Sequence, residues 1–449
     1  MEFRWGGSRL NRQILRLAIP NLLASITVPL IGIADTAMIG RLPEIAFLGA
    51  IAAASTLFDL LFWGAGFLRM GTTSLVAQHF GAGDRRSCAA VLYRSLCIAA
   101  ALGAGMLLLR HGIAEVGFGV IGGSADVQLW GKRYFAVRSY GVPLVLVVFT
   151  LNGFFLGTRN VIAPMCLTFV ATGVNIAADY ALIFGAWGAP QLGVLGAAWA
   201  AVLANLAAVC TGIFFLLKTY GAYLREKVDD LLARDKVVHL LRTNVNLLGR
   251  TLCLLFAQYA LVSMVARLGE VPLAANAIVW QIWGLVSYGI DGFAHAAETM
   301  VGNCLGARDF SGARSLAWRI IQWGACIGLA FSLAYGLAIE PIARAFTPHE
   351  DVIAAILSLT YLIVLIQPLN AVVFVFDGIF IGANDMVYLF KAMAIAAFCV
   401  FAPLALICVY WLDWGVQGAW LAYNGLMLGR FFTLLPRYRG GAWLRTFVE

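Results

Sequence analysis

Charge is scarce in this chain. Of its 449 residues, 12% are charged and 62% are hydrophobic. No soluble domain hides that much apolar surface, so the solvent must be a bilayer. Alternating strand patterns are missing as well. The apolar runs are continuous and about 20 residues long, which excludes a strand barrel and suits helices crossing ~30 Å of hydrocarbon. The nine cysteines stand singly, with no CxxC pair and no ligand spacing, so they read as small packing residues, not a disulfide framework or metal site. Walker A, G-x-S-x-G, H-E-x-x-H and haem-attachment motifs are all absent, which leaves no ATP site, no enzyme constellation and no expected cofactor. The basic N-terminus leads into a long apolar run that carries an acid and lacks an A-x-A cleavage site, so it reads as a permanent span, not a signal peptide.

What is present is helix. Twelve apolar stretches are expected to span, near 11–38, 45–70, 88–109, 129–157, 161–186, 193–218, 238–266, 273–298, 313–338, 353–381, 386–411 and 414–436. The net charge is +8, yet no nucleic acid is implied. The basic clusters (Arg4/Arg9/Arg12/Arg16, the stretch Lys218–Arg242, and Arg437/Arg439/Arg445) fall on one side of this topology. Positive charge marks the cytoplasmic face, and both termini are expected there.

The chain also repeats itself. LVAQHFGAGDRRSCAAVLYRSL around Gly81 answers MVGNCLGARDFSGARSLAWRII around Gly306, an offset of 225 residues. Pro143 pairs with Pro368, Gly153 with Gly378, Gly157 with Gly382, and Arg94 with Arg319; NGFFLGTRN from Asn152 answers DGIFIGAND from Asp377. Such a repeat in a lipid-soluble chain points to a two-lobed transporter. Two pseudo-symmetric six-helix lobes are expected over 1–218 and 238–449, joined by a cytoplasmic linker at 219–237 whose mixed charges suit an amphipathic interfacial helix. GxxxG spacing at Gly153–Gly157, Gly378–Gly382, Gly302–Gly306 and Gly324–Gly328 predicts close helix contacts.

Six acids fall inside the spans: Asp35, Asp59, Asp179, Asp291, Glu298 and Asp377. Each costs roughly 3 kcal/mol at mid-bilayer and so needs a reason. Asp35 in IGIADTAMIG has no basic neighbour closer along its helix than Arg41, an arrangement suited to reversible protonation. Asp179 follows Asn175 by one helical turn, so the two share a face. Neither acid has a counterpart in the second half: Leu261 stands opposite Asp35, and Phe401 opposite Asp179. Asn152 is the uncharged match of Asp377. Asp59 and Arg69 share the second span and suit ion pairs with neighbouring helices; Asp291, His295 and Glu298 line one face of the eighth span as a relay or a buffered pair. Pro20 and Pro29 lie before Asp35 in the first helix and offer a bend there.

Together ADTAMIG, FLRMGTT, GAGD, GARD, NIAADYALIFG, DGFAHAAE and VFDGIFIGAND resemble the multidrug and toxic compound extrusion family, its DinF branch in particular, over essentially the whole chain. The resemblance implies a secondary antiporter of two helical bundles, exporting organic cations or other amphipathic compounds in exchange for protons or sodium; the leading expectation is a monomeric exporter in the lipid bilayer of a bacterial inner membrane, moving lipophilic, mostly cationic drug-like compounds against protons. It implies a cavity lined by Asp35, Asn152, Asn175 and Asp179, and a bend of the first helix at Pro20. Asp377 matches the tenth-helix acid of the sodium-coupled NorM branch, but the seventh span lacks that branch's carboxylate. Sodium coupling is therefore the alternative, and a lipid or polysaccharide flippase of a related family is a further one. Proton or cation coupling is expected of Asp35 and Asp179, with Asp377, Glu298, Asp291 and Arg69 as secondary candidates.

Overall fold

The computed structural model describes residues 7–446 apart from Pro43, Asp229, Asp230 and Leu232, and among these there is no strand. Twelve long helices follow one another: α1 (Gly7–Ile39), α2 (Ala46–Gly81, interrupted at Gly66), α3 (Arg85–Ile121), α4 (Ala125–Gly157), α5 (Ile162–Phe184), α6 (Val194–Leu224), α7 (Arg234–Ala266), α8 (Glu270–Gly306), α9 (Phe310–Phe346), α10 (Thr360–Gly382), α11 (Met386–Trp411) and α12 (Gly415–Arg439). Ten of them, α2 to α11, are long and apolar enough to cross a bilayer, and α1 and α12 have 33 and 25 residues. The protein is an all-α integral membrane protein. Several helices outrun the apolar stretches read from the sequence: α3, α8 and α9 each have 37 residues. Hydropathy registers only the lipid-embedded part, while the backbone stays helical into the polar flanks.

One turn design closes four of these helices. GAGD (81–84), GTRN (157–160), GARD (306–309) and GAND (382–385) each place their third residue in the left-handed region: Gly83 at φ 77°, Arg159 at 62°, Arg308 at 58° and Asn384 at 59°. The fourth residue then donates its backbone N–H five residues back, from Asp84 to His79, Asn160 to Phe155, Asp309 to Cys304 and Asp385 to Phe380, at 2.8–3.0 Å. Those bonds satisfy carbonyls that the helix end leaves open. The same fourth residue caps the next helix in three cases. Asp84 accepts from Ser87 N at 3.0 Å, Asn160 from Ala163 N at 3.1 Å and Asp309 from Gly312 N at 2.8 Å. The repeated motif is thus a helix-stop, helix-start signal.

Glycine sets how closely helices approach. A Cβ on Gly153 would lie 2.6 Å from the Arg69 carbonyl oxygen, so α4 packs directly on the backbone of α2. Gly378 and Gly382 of α10 face the carbonyls of Ala294 and Glu298 on α8 in the same way. Gly378→Ala is expected to destabilise the protein by on the order of 1–3 kcal/mol through overpacking. Gly105→Ala, where an added Cβ meets nothing within 4 Å, is expected to leave stability unchanged. Thermal melting in detergent separates the two; equal melting temperatures would mean that α8 and α10 part at no cost.

Packing divides the chain into two compact units, Leu23–Leu240 and Met1–Leu22 with Leu241–Glu449. The division passes through α1 two residues beyond Pro20. Two arginines at equivalent repeat positions accompany this exchange of helix starts. Arg94 Nε donates to the Leu231 carbonyl at 2.8 Å, just ahead of α7, and Arg319 Nε donates to Asn11 Oδ1 at 3.0 Å, early in α1. Trp323 Nε1 adds a second bond to Asn11 at 3.2 Å. The expected amphipathic linker helix is corrected here: α6 runs on to Leu224 and α7 begins at Arg234, and the described residues between them are not helical. Its charges belong largely to the ends of two long helices and a short connection.

Candidate functional site

In the unit Leu23–Leu240 three polar side chains from two helices meet: Asp35, Asn175 and Asp179. Asn175 and Asp179 sit one turn apart on α5 and are both buried. Asp35, half-buried on α1, meets them. The Asn175 amide satisfies its surroundings with its nitrogen towards the acids. It then donates to Asp35 Oδ1 at 3.1 Å and to Asp179 Oδ2 at 3.3 Å. The two carboxyl side chains lie close enough to act on each other directly. Asp179 Oδ1 is buried without a partner among the described residues. The cluster is therefore two carboxyls from different helices met by one amide.

A cation that the sequence reading did not place at this site lies beside it. Arg138, on α4 just before a tight turn at Ser139–Gly141, acts electrostatically on Asp35, Asp179 and Asp59. Its Nη1 donates to Tyr134 OH at 3.1 Å and to Ser55 Oγ at 3.4 Å, and the guanidinium stands 4.7 Å from the Phe58 ring centre. Tyr134, almost fully buried, lies in the field of both acids as well. The signal that singled out Asp35 and Asp179 would have found these two. At the repeat offset, Tyr134 corresponds to Leu359 and Arg138 to Ile363, both wholly buried apolar residues.

The other expected residues fall elsewhere. Asn152, on α4, has a buried Oδ1 without a partner and makes no hydrogen bond to the acid pair among the described residues. α1 continues as a helix through Pro20, which has no N–H to donate to the helix. Arg69 presents its backbone carbonyl to Gly153, as described above.

In the unit containing Leu241–Glu449, Asp377 is gripped from two sides. Arg250 of α7 and Arg430 of α12 both donate through Nη2 to its Oδ2. All three residues are buried. Asp291 adds its field to Arg250, and Arg430 also stacks 5.9 Å over the Phe374 ring and contacts Met427 Sδ at 3.3 Å. Glu298 is buried on α8 with its backbone against Gly382. Asp377 therefore already has two resident cations.

Residues 20–181 and 248–407 match the MatE family model. The chain belongs to the MatE family. It is 32% identical over 442 residues to DNA damage-inducible protein F of Escherichia coli (strain K12), covering 96% of this chain and 94% of that protein. It is 28% identical to the probable multidrug resistance protein NorM of Bradyrhizobium diazoefficiens, covering 95% and 94%. The fold matches a crystal structure of MATE in the bent conformation, with a TM-score of 0.84 at 22% identity over 96% of this chain and 95% of that one. It equally matches a MOP superfamily transporter from Pyrococcus furiosus, with a TM-score of 0.84 at 21% identity over the same shares. This MatE protein is accordingly a multi-pass multidrug and toxic compound extrusion transporter of the DinF branch, and not an enzyme.

Proposed function

We propose that this transporter exports lipophilic, mostly cationic compounds across a bacterial cytoplasmic membrane, with both termini in the cytoplasm, in exchange for protons carried by Asp35 and Asp179. The observation that carries this reading is the meeting of two carboxyls, Asp35 and Asp179, across the Asn175 amide within membrane-spanning helices. Two acids sharing one proton can release it when a cation arrives and recover it when the cation leaves. Acidic groups beside aromatic rings suit a lipophilic cation, which carboxylates attract and ring faces hold.

Sodium is the weaker reading, because a sodium ion needs several oxygens converging on one point, whereas a proton needs only one carboxylate. In the other unit Asp377 already faces two guanidiniums. A flippase of anionic lipid or polysaccharide would require a basic lining, which the paired acids oppose.

The test is export by proteoliposomes, first under a pH gradient without sodium and then under a sodium gradient at equal pH. Transport is expected in the first condition. Transport only in the second would overturn the proton reading, and preference for anionic dyes over ethidium would overturn the substrate class.

A further inference from the structure

Arg110 of α3 follows directly on the apolar stretch 88–109, so it stands where the helix leaves hydrocarbon on the side away from the GAGD turn. Its guanidinium lies 4.5 Å from the centre of the Tyr140 ring, and its Nε donates to His111 Nε2 at 3.4 Å. Among the described residues it makes no other hydrogen bond and no ion pair. A guanidinium carries five donors, and leaving most of them unmatched at the edge of a bilayer calls for a partner.

The bed of this cation comes from two further helices. Tyr140 of α4 stacks on Trp199 of α6, with ring centres 6.0 Å apart and planes at 7°. Both rings are exposed. Tyr140 lies roughly opposite Arg138 around α4, and Arg138 meets Ser55 and Phe58 of α2, so the column faces away from α2. From Trp199, α6 runs inward towards Leu224, whose carbonyl accepts from Tyr93 OH near the start of α3 at 3.1 Å. Leu203 and Leu206 continue the face of Trp199 one and two turns along that path, and both are exposed. A held cation at the interface thus heads an apolar strip that descends into hydrocarbon.

The fold does not require this arrangement. In the other half of the repeat, Tyr335 stands for Arg110, Leu365 for Tyr140 and Leu421 for Trp199. Tyr335 is buried and turns its hydroxyl inward to the Ile282 carbonyl at 2.6 Å.

We propose that Arg110, Tyr140 and Trp199 form a headgroup site for an anionic phospholipid in the leaflet opposite the GAGD turn. The phosphate accepts from the unmatched N–H groups of Arg110, whose planar fork suits two phosphate oxygens. The rings sit at headgroup depth, where tyrosine and tryptophan are favoured, and an acyl chain lies along Leu203 and Leu206. Charge selects an anionic lipid over a zwitterionic one. Arg133, exposed two turns along α4 on the face of Tyr140, adds a second cation without an acid partner among the described residues. Glu115 is already paired with Lys132 at 2.5 Å.

The test is photocrosslinking of the full-length protein in nanodiscs with phosphatidylglycerol that carries a photoreactive acyl chain, mapped peptide by peptide. Labelling is expected on the α6 segment holding Leu203 and Leu206. Unlabelled phosphatidylglycerol should compete, whereas phosphatidylcholine with the same chains should not. Arg110→Gln is expected to lower labelling there roughly fivefold, the worth of one basic side chain at a charged interface. Labelling beside Arg437 and Arg439, at the other membrane face, should stay as in wild type. Tyr140→Leu, which installs the residue of the other repeat, should lower labelling at α6 as well, because the guanidinium loses its bed. Equal competition by the two lipids would mean a general aromatic anchor and overturns the proposal, as does unchanged labelling in Arg110→Gln. If that variant does not fold, unchanged labelling in Tyr140→Leu overturns it instead. Inorganic phosphate is expected to compete with nothing; loss of labelling in its presence would overturn the lipid as occupant.

Discussion

Cells relying on a transporter with Asp35→Asn are expected to be as drug-sensitive as cells with no transporter, although the variant folds and reaches the membrane. Asparagine fills the same volume and still hydrogen-bonds to Asn175 and Asp179, so the local packing survives. What disappears is one of the two groups able to share and release a proton, and with it the exchange of charge for drug. The measurement is resistance in cells together with surface abundance of the variant. Normal resistance at normal abundance would sink the assignment. Asn175 and Asp179 belong to the same site through the bonds at 3.1 and 3.3 Å. Replacing both should therefore cost little more transport than Asp179→Asn alone, because residues in one network do not act additively. Additive losses would separate their roles.

The second large effect is on stability. Asp377→Ala removes the carboxylate that Arg250 and Arg430 share and leaves two buried guanidiniums facing each other. Breaking a buried pair from one side typically costs about 3–5 kcal/mol, and here two cations lose their partner together. A marked fall in melting temperature and in yield is expected. Arg250→Ala should be milder, since Asp377 keeps Arg430. If Asp377→Ala melts like wild type while Arg250→Ala does not, the carboxylate is not the centre of the cluster. A selective loss of ion-dependent transport at unchanged stability would return Asp377 to the coupling residues.

The fold was legible in the sequence where the physics is local. Continuous apolar runs require helices, because backbone groups in hydrocarbon must bond within their own segment. The glycines of NGFFLG and DGIFIG did mark close contacts, since a residue without a Cβ is needed wherever one backbone meets another. The GAGD and GARD motifs were visible as loops, but not as a shared turn in which Arg308 and Gly83 adopt the same left-handed conformation. That equivalence depends on a 6→1 backbone bond that residue type alone does not announce. The linker helix failed because charge pattern says where a helix would be wetted, not where two neighbouring helices stop.

The sequence alone determined a twelve-helix membrane protein with an internal repeat, and it marked Asp35 and Asp179 as acids in positions where the other half has Leu261 and Phe401. Tertiary structure decided which polar groups meet. It joined Asp35 of α1 to Asp179 of α5 through Asn175, set Arg138 beside them, and gave Asp377 two cations from helices far away in the chain. The reason is one of range. A helix in lipid completes its backbone bonds from its own residues, so its existence can be read locally. The partner of a buried charge comes from another helix, and depends on how both are rotated and spaced by packing.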